Sequence, residues 1–393
     1  MEAIKFEPED FVVQEVLDPP FGQEGPYSYY LLRKRGKGTL DVIQQLVELF
    51  KLPRAHFGFA GLKDRRAVTV QYISILDGPE RDVKGEGFEL TFLGKASVPI
   101  RIGDAKGNLF TVRLRGVDPE AVKACLKKDE AIGFPNYFGE QRFAGEKCTE
   151  RPIAAYLIKG DYQGALKEYL CHHPEAEVRA RLRRLWENPS RFLKEAAPLL
   201  SKIDLIALKV YLKKKDPHRA LRALPKQLKL LFMFSYQAFL WNEVLSRVIR
   251  KRADKVFHLP FIRGQKLCFY LDANEGIKDL YGFDLPYISA EALELNMPED
   301  VRREFEQVLE DETKALGLKD PYELLNAQAL SLRVFSTGKR KAVVFPEGVK
   351  FLEKTRDAIK VQFFLPSGSY ATVLLRKVVA QTAKSAPLEA DGL

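Results

Sequence analysis

The sequence predicts an α+β fold in which a sheet domain, residues 1–159 and 344–393, is interrupted by a mainly helical domain over 160–343. Two observations carry this. Alternating, β-branched strand patterns mark both ends of the chain, and between about 160 and 255 they give way to Leu, Ala, Arg and Lys at helical spacing. Strand chemistry shared by two ends around a helical middle points to one domain interrupted by another.

The first strands are expected at "DFVVQEV" and "YSYYLLRKRG", where apolar and polar residues alternate. The helix "TLDVIQQLVELFKL" follows, with Leu40, Ile43, Leu46, Val47 and Phe50 at helical spacing, Thr39 expected as its cap, Asp41 in its first turn and Pro53 as its stop. Further strands are expected at "AVTVQYISI", "FELTFLG" and "NLFTVRLRG", the last introduced by the turn signal "GDAKGN". After "GFPNYFGEQRF" the composition changes, placing the boundary near Gly160. The helical middle is also the most basic region, with "RARLRRL", "KVYLKKKDPHRALRALPKQLK" and "RVIRKRADK". From 256 to 340 strands are expected near "KLCFYLD" and "LSLRVFST", around a helix from Pro298 to Leu318. In "AIKVQFFLPSGSYATVLLRKVVA" the strand style returns: Pro366 and Gly368 make a turn leading Ser369 and Tyr370 into a strand that Arg376 closes.

Composition bounds the function. The 393 residues carry a formal charge of +10 and a pI near 9.2, which suits a polyanionic partner, because clustered Lys and Arg release condensed counterions. A basic surface that is merely solvated would give the same balance. Cys125, Cys148, Cys171 and Cys268 are widely spaced, with no CxxC and no Cys/His pair at ligand spacing, so neither a disulfide framework nor a metal site is expected. That cysteine usage predicts a cytoplasmic protein, and the acidic start and the lack of a membrane-length apolar run predict neither signal peptide nor membrane span.

Two segments carry candidate chemistry. In "GFAGLKDRRAVTVQYISI", residues 58–75, Gly58 and Gly61 allow unusual backbone, and Asp64 sits at a loop-to-strand junction flanked by Lys63, Arg65 and Arg66. These cations favour an ionised carboxylate and attract phosphates. No P-loop pattern occurs, and no neighbouring motif supplies the second acid of a glycosidase. A lone Asp in a basic loop suits covalent or proton-abstraction chemistry on an anionic substrate; the plain alternative is a turn Asp among solvated cations. In "PNYFGEQRFAG", Asn136 offers the donor and acceptor that a nucleobase edge requires, Tyr137, Phe138 and Phe143 offer stacking faces, and Arg142 can meet a phosphate. An aromatic loop packed into a core would read the same way.

Together, "EDFVVQE", "AGLKDRRAVTVQ", "GDAKGNLF", "PNYFGEQRF" and "LPSGSYATVLLR", in that order, resemble the TruD family of tRNA pseudouridine synthases. The likeness covers the first 145 and last 50 residues well; the longer middle matches mainly in placement and in "SYQAFLWNEVL". It implies a pseudouridine synthase catalytic domain with a mixed, largely antiparallel sheet, an inserted TRUD domain, and tRNA bound between them, without cofactor or metal; a monomer is expected. The family's catalytic aspartate falls on Asp64 and its basic partner on Lys5, in "KFEPEDF". Phe11, Asn136, Phe138 and Tyr370 fall on substrate-contacting positions, and Lys63, Arg65, Arg66 and Arg142 become candidate phosphate contacts. The implied reaction breaks the N1–C1′ bond of a uridine, by resemblance uridine 13 of the D arm, turns the base and rejoins it through C5. Whether the Asp attacks C1′ or takes the C2′ proton stays open. A non-catalytic RNA-folding chaperone is the competing reading, supported by the basic helical middle.

Overall fold

A computed structural model describes residues 7–20, 22, 24–143, 150–173 and 175–382. The chain forms two compact units: one from residues up to Phe134 and again from Val343 on, the other from Pro135 to Ala342. The first junction thus falls upstream of Gly160. Gly160 itself is a left-handed turn (φ 77°) between α-helices of the second unit.

The first unit is an α+β structure around a mixed sheet. Its strands are β1 (Phe11–Val16), β2 (Tyr27–Arg35), β3 (Phe57–Phe59), β4 (Val68–Leu76), β5 (Val83–Gly85), β6 (Phe88–Ala96), β7 (Gly107–Arg115), β8 (Glu347–Lys354) and β9 (Ala358–Pro366). Their order is β8-β9-β7-β1-β4-β2-β6-β5, with β3 also on β4. β1 and β4 run parallel, Val12 opposite Val68; the other pairs are antiparallel.

Alternation decides what lies under the helices. On β2, Tyr30 and Leu32 face α1 (Thr39–Phe50), whose Val42, Ile43 and Leu46 complete a core with Phe57, Ile73, Ile75 and Leu90. Thr39 does not cap α1. Gly38 occupies the cap position, Asp41 Oδ2 accepts its N–H at 3.0 Å, and Thr39, one residue inside, turns its hydroxyl to Gln71. The helix ends at Phe50, before Pro53, with Lys51 in the left-handed region. α2 (Pro119–Ile132) starts at Asp118, which accepts the Glu120 N–H, and buries Val122, Leu126 and Asp129.

The last segment corrects the sequence expectation. Tyr370 leads into a helix, α3 (Ala371–Thr382), rather than a strand. Its Val373, Leu374, Leu375, Lys377 and Val378 are buried, and such a stripe satisfies helical spacing as well as its β-branched content suggested a strand. Packing on α2 decides between the two.

The second unit is mainly helical. A 27-residue helix, α4 (Lys226–Arg252), buries Phe232, Met233, Tyr236, Trp241, Asn242 and Ile249. At about 1.5 Å per residue it spans about 40 Å. Beside it lie the hairpin β10 (Val256–Pro260) and β11 (Lys266–Tyr270) and the helix α5 (Glu299–Leu316). The strand expected at "LSLRVFST" is only the pair Leu332–Arg333, turned back on Gln328–Ala329. Leu330 and Ser331 both have positive φ, which makes a two-residue hairpin turn and uses up the segment.

Candidate active site

Between β3 and β4 the chain crosses the end of the sheet as an irregular loop, and Asp64 sits half-buried in it. Asp64 Oδ1 accepts the main-chain N–H of Arg66 at 2.9 Å, so the residue makes a turn of its own as well as presenting a carboxylate. The loop rests on a buried polar seam. Lys34 Nζ donates to the carbonyls of Asp64 (2.9 Å) and Lys37 (2.7 Å). Gln71 Nε2 donates to the Gly61 carbonyl at 3.2 Å, and the Lys63 N–H donates to Thr39 Oγ1 at 3.0 Å. Lys63 Nζ meets Glu15 Oε1 at 2.5 Å, with both side chains nearly sealed from solvent, and Glu15 Oε2 accepts the Tyr72 N–H at 3.0 Å.

Strand register brings these groups together. Glu15 shares the parity of the buried Phe11 and Val13 on β1, Lys34 that of Tyr30 and Leu32 on β2, and Gln71 that of Ile73 on β4. Leu32 stands opposite Gln71 and Lys34 opposite Thr69. The sheet face that elsewhere buries apolar side chains therefore carries charged and amide groups under the Asp64 loop. Composition and motifs did not single out Lys34 or Glu15. The signal that finds them is their parity with apolar neighbours on strongly alternating strands.

Lys34 is 1% exposed, and burial pushes its pKa down to about 8, while the nearby Asp64 carboxylate opposes the shift. Its folded pKa lies below the ordinary Lys value, so between about pH 8 and 10.5 the unfolded chain holds a proton that the folded chain has released. Stability carried by this residue therefore rises with pH across that window. Urea unfolding of wild type and Lys34→Met at pH 7 and pH 10 is expected to show the difference moving in wild type's favour at the higher pH.

The predicted residues of the first unit fall as follows. Phe11 is 3% exposed and packs edge-on against Phe110 at 5.9 Å, which in turn stacks on Phe363. Tyr370 is half-buried in the turn between β9 and α3, where its carbonyl accepts the Val373 N–H. Lys63 is engaged by Glu15. Arg65 is exposed and pairs with Asp41 at 2.6 Å, holding that carboxyl below its usual range. Arg66 is exposed, with no side-chain ion pair among the described residues. Lys5 lies outside the described residues.

The second unit builds another polar cluster around "PNYFGEQRF". Asn136 Nδ2 donates to the Lys341 carbonyl at 3.1 Å and Oδ1 accepts from Arg340 Nη2 at 2.8 Å. Arg340 also donates to the carbonyls of Asn136 and Tyr137, and its guanidinium lies 4.2 Å from the Phe138 ring centroid. Phe138 is held at both main-chain groups by the Asn242 amide and meets Trp241 edge-on at 5.4 Å. Arg142 covers Phe138 and Phe234 at 5.4 and 5.2 Å. Asn136 and Phe138 are thus each held by several partners, and Arg340, which lies outside the quoted motifs, contacts both.

Among the described residues, no cluster of three or more His, Cys, Asp or Glu side chains could hold a metal, and no helix is long and apolar enough to cross a membrane. The arrangement offers one carboxylate on a braced loop and, separately, an amide beside an aromatic ring backed by Arg.

The chain is similar to known proteins over most of its length. Residues 2–262 match the family model described as tRNA pseudouridine synthase D (TruD). The chain is 35% identical over 392 residues to tRNA pseudouridine synthase D of Aquifex aeolicus, covering 97% of this chain and 99% of that one. It is 27% identical to a probable tRNA pseudouridine synthase D of Nanoarchaeum equitans, covering 95% and 98%. In fold it is similar to the crystal structure of a TruD homologue from Methanosarcina mazei, with a TM-score of 0.67 and 24% identity over 96% of this chain and 93% of that one.

Proposed function

The chain belongs to the tRNA pseudouridine synthase D family, TruD, and from that premise we propose that Asp64 carries the isomerisation of uridine 13 in the D arm of tRNA to pseudouridine. The enzyme is an isomerase, so the atoms of the nucleoside balance without a co-reactant. The N1–C1′ bond breaks, the base turns, a C5–C1′ bond forms, C5 gives up its proton and N1 gains one.

The observation that carries the reading is the bracing of the Asp64 loop by Lys34, Gln71, Thr39 and the Lys63–Glu15 pair. A carboxylate that attacks C1′ or takes the C2′ proton must be held within about half an ångström, and a loop tied at its carbonyls and amides supports that role. Lys5 is proposed as its basic partner. Asn136, with Phe138 beside it, is proposed to read the edge and face of the flipped base, and Phe11 and Tyr370 to contact the substrate. Lys63 holds the loop, which leaves Arg65, Arg66 and Arg142 as the proposed phosphate contacts. The two compact units are proposed as the catalytic and TRUD domains.

Incubating the purified protein with unmodified tRNA transcript and mapping pseudouridine by chemical derivatisation and primer extension tests this. The expected product is a single pseudouridine at position 13. Product confined to another position would overturn the target, and no product at all would overturn the activity in favour of the RNA-folding reading.

A further inference from the structure

Lys34 is a charged side chain at the inner end of β2, 1% exposed, where the strand's parity calls for an apolar residue. Keeping an ammonium there is costly unless its protons are placed. Two of them are: Nζ reaches the carbonyl of Lys37, just after β2, and the carbonyl of Asp64 itself. A Met of similar volume would fill the same space, so packing alone does not demand a lysine.

We propose that Lys34 is a positioning residue for the isomerisation, clamping the backbone of Asp64 to the end of β2 and keeping an opposite charge near its carboxylate. The inference rests on Asp64 as the reacting group. Withdrawing the ammonium frees the Asp64 carbonyl and weakens the local field that favours the ionised carboxylate, while no surface that could meet RNA changes. The loss therefore belongs in the rate of the bound complex and not in affinity.

The charged groups facing Nζ are Asp64 and Lys63 from the loop and Asp41 from α1. The two carboxylates hold the proton on; burial and Lys63 push it off, to about 8. Above that pH the amine retains two N–H groups for two carbonyls but has lost its charge, so the rate of the bound complex falls.

The test measures single-turnover rates with saturating tRNA from pH 6 to pH 10, alongside tRNA affinity, for wild type, Lys34→Met, Lys34→Arg and Asp64→Asn. Lys34→Met is expected to react about 10- to 100-fold more slowly at pH 7 with affinity within about threefold, and without the wild-type fall near pH 8. Lys34→Arg stays charged throughout the range and is expected to recover part of the rate and to lack that fall. A Lys34→Met enzyme reacting at the wild-type rate overturns the proposal, as does a fall near pH 8 that persists in Lys34→Arg. The latter decides the matter even where Lys34→Met does not fold. Asp64→Asn separates the two readings: an active Asp64→Asn removes the premise, whereas an inactive one beside a normal Lys34→Met removes only the clamp.

Discussion

Replacing Asp64 with Asn is expected to abolish pseudouridine formation, lowering the single-turnover rate by at least about a thousandfold while tRNA affinity stays within about threefold. The substitution is chosen because it leaves the main-chain contacts of the loop in place, while taking away the charge that helps keep Lys34 protonated. Asn keeps an oxygen for the Arg66 N–H that Asp64 Oδ1 accepts, and the Lys34 clamp grips the main-chain carbonyl, which does not change. What disappears is the negative charge, and with it both candidate roles, nucleophile and base. On the proposed reading affinity is carried by cations meeting phosphates, so it shifts little. A variant that forms product at the wild-type rate would show that the carboxylate is only a turn residue. A parallel collapse of affinity would show that its charge shapes the loop's hold on RNA.

The second large effect lies away from the chemistry. Lys377 on α3 and Asp129 on α2 form an ion pair with both side chains almost wholly buried. Lys377→Met leaves the Asp129 carboxylate buried without its counter-charge, and is expected to lower stability by about 3–5 kcal/mol, read as a shift in the urea midpoint at constant m-value. Burial raises the Asp129 pKa above its ordinary value. In the variant the folded chain therefore takes up a proton more readily than the unfolded one, and the loss shrinks as pH falls. Adding Asp129→Asn to Lys377→Met is expected to restore part of the loss, because the remaining group is uncharged. A single variant within about 1 kcal/mol of wild type would mean that apolar packing alone docks α3 on α2.

How much of this the sequence disclosed depends on the range of the interactions involved. β1, β2, β4 and α1 declared themselves through local alternation and spacing, and Asp64 and Asn136 through short segments whose residue types suit the chemistry. Thr39 misled because a hydroxyl at a helix start usually caps; here Gln71, distant in sequence, competes for it. The helix at Ala371–Thr382 misled because its Val and Leu fit either period, and α2 chooses between them only in space. Lys34 and Arg340 lie outside the quoted motifs, and Glu15 closes "EDFVVQE" without its role showing there, because each is defined by a partner far along the chain: the Asp64 carbonyl, Asn136 and Lys63 respectively. Buried polar seams of this kind follow from register and from tertiary approach, which no local pattern encodes.

The place of β9 in the sheet has a consequence for how the molecule is made. β7 is paired on one side by β1 and on the other by β9, with Thr111 and Gln362 bonded across 251 positions of chain. On the ribosome, all of residues 135–342 emerge before β9 does, so the helical unit can finish folding while the sheet still has an open border at β7. An open border is a template for any passing strand. The half-made enzyme is therefore most exposed to mispairing in the interval before its final strand arrives, and the speed of translation through that stretch sets how long the interval lasts.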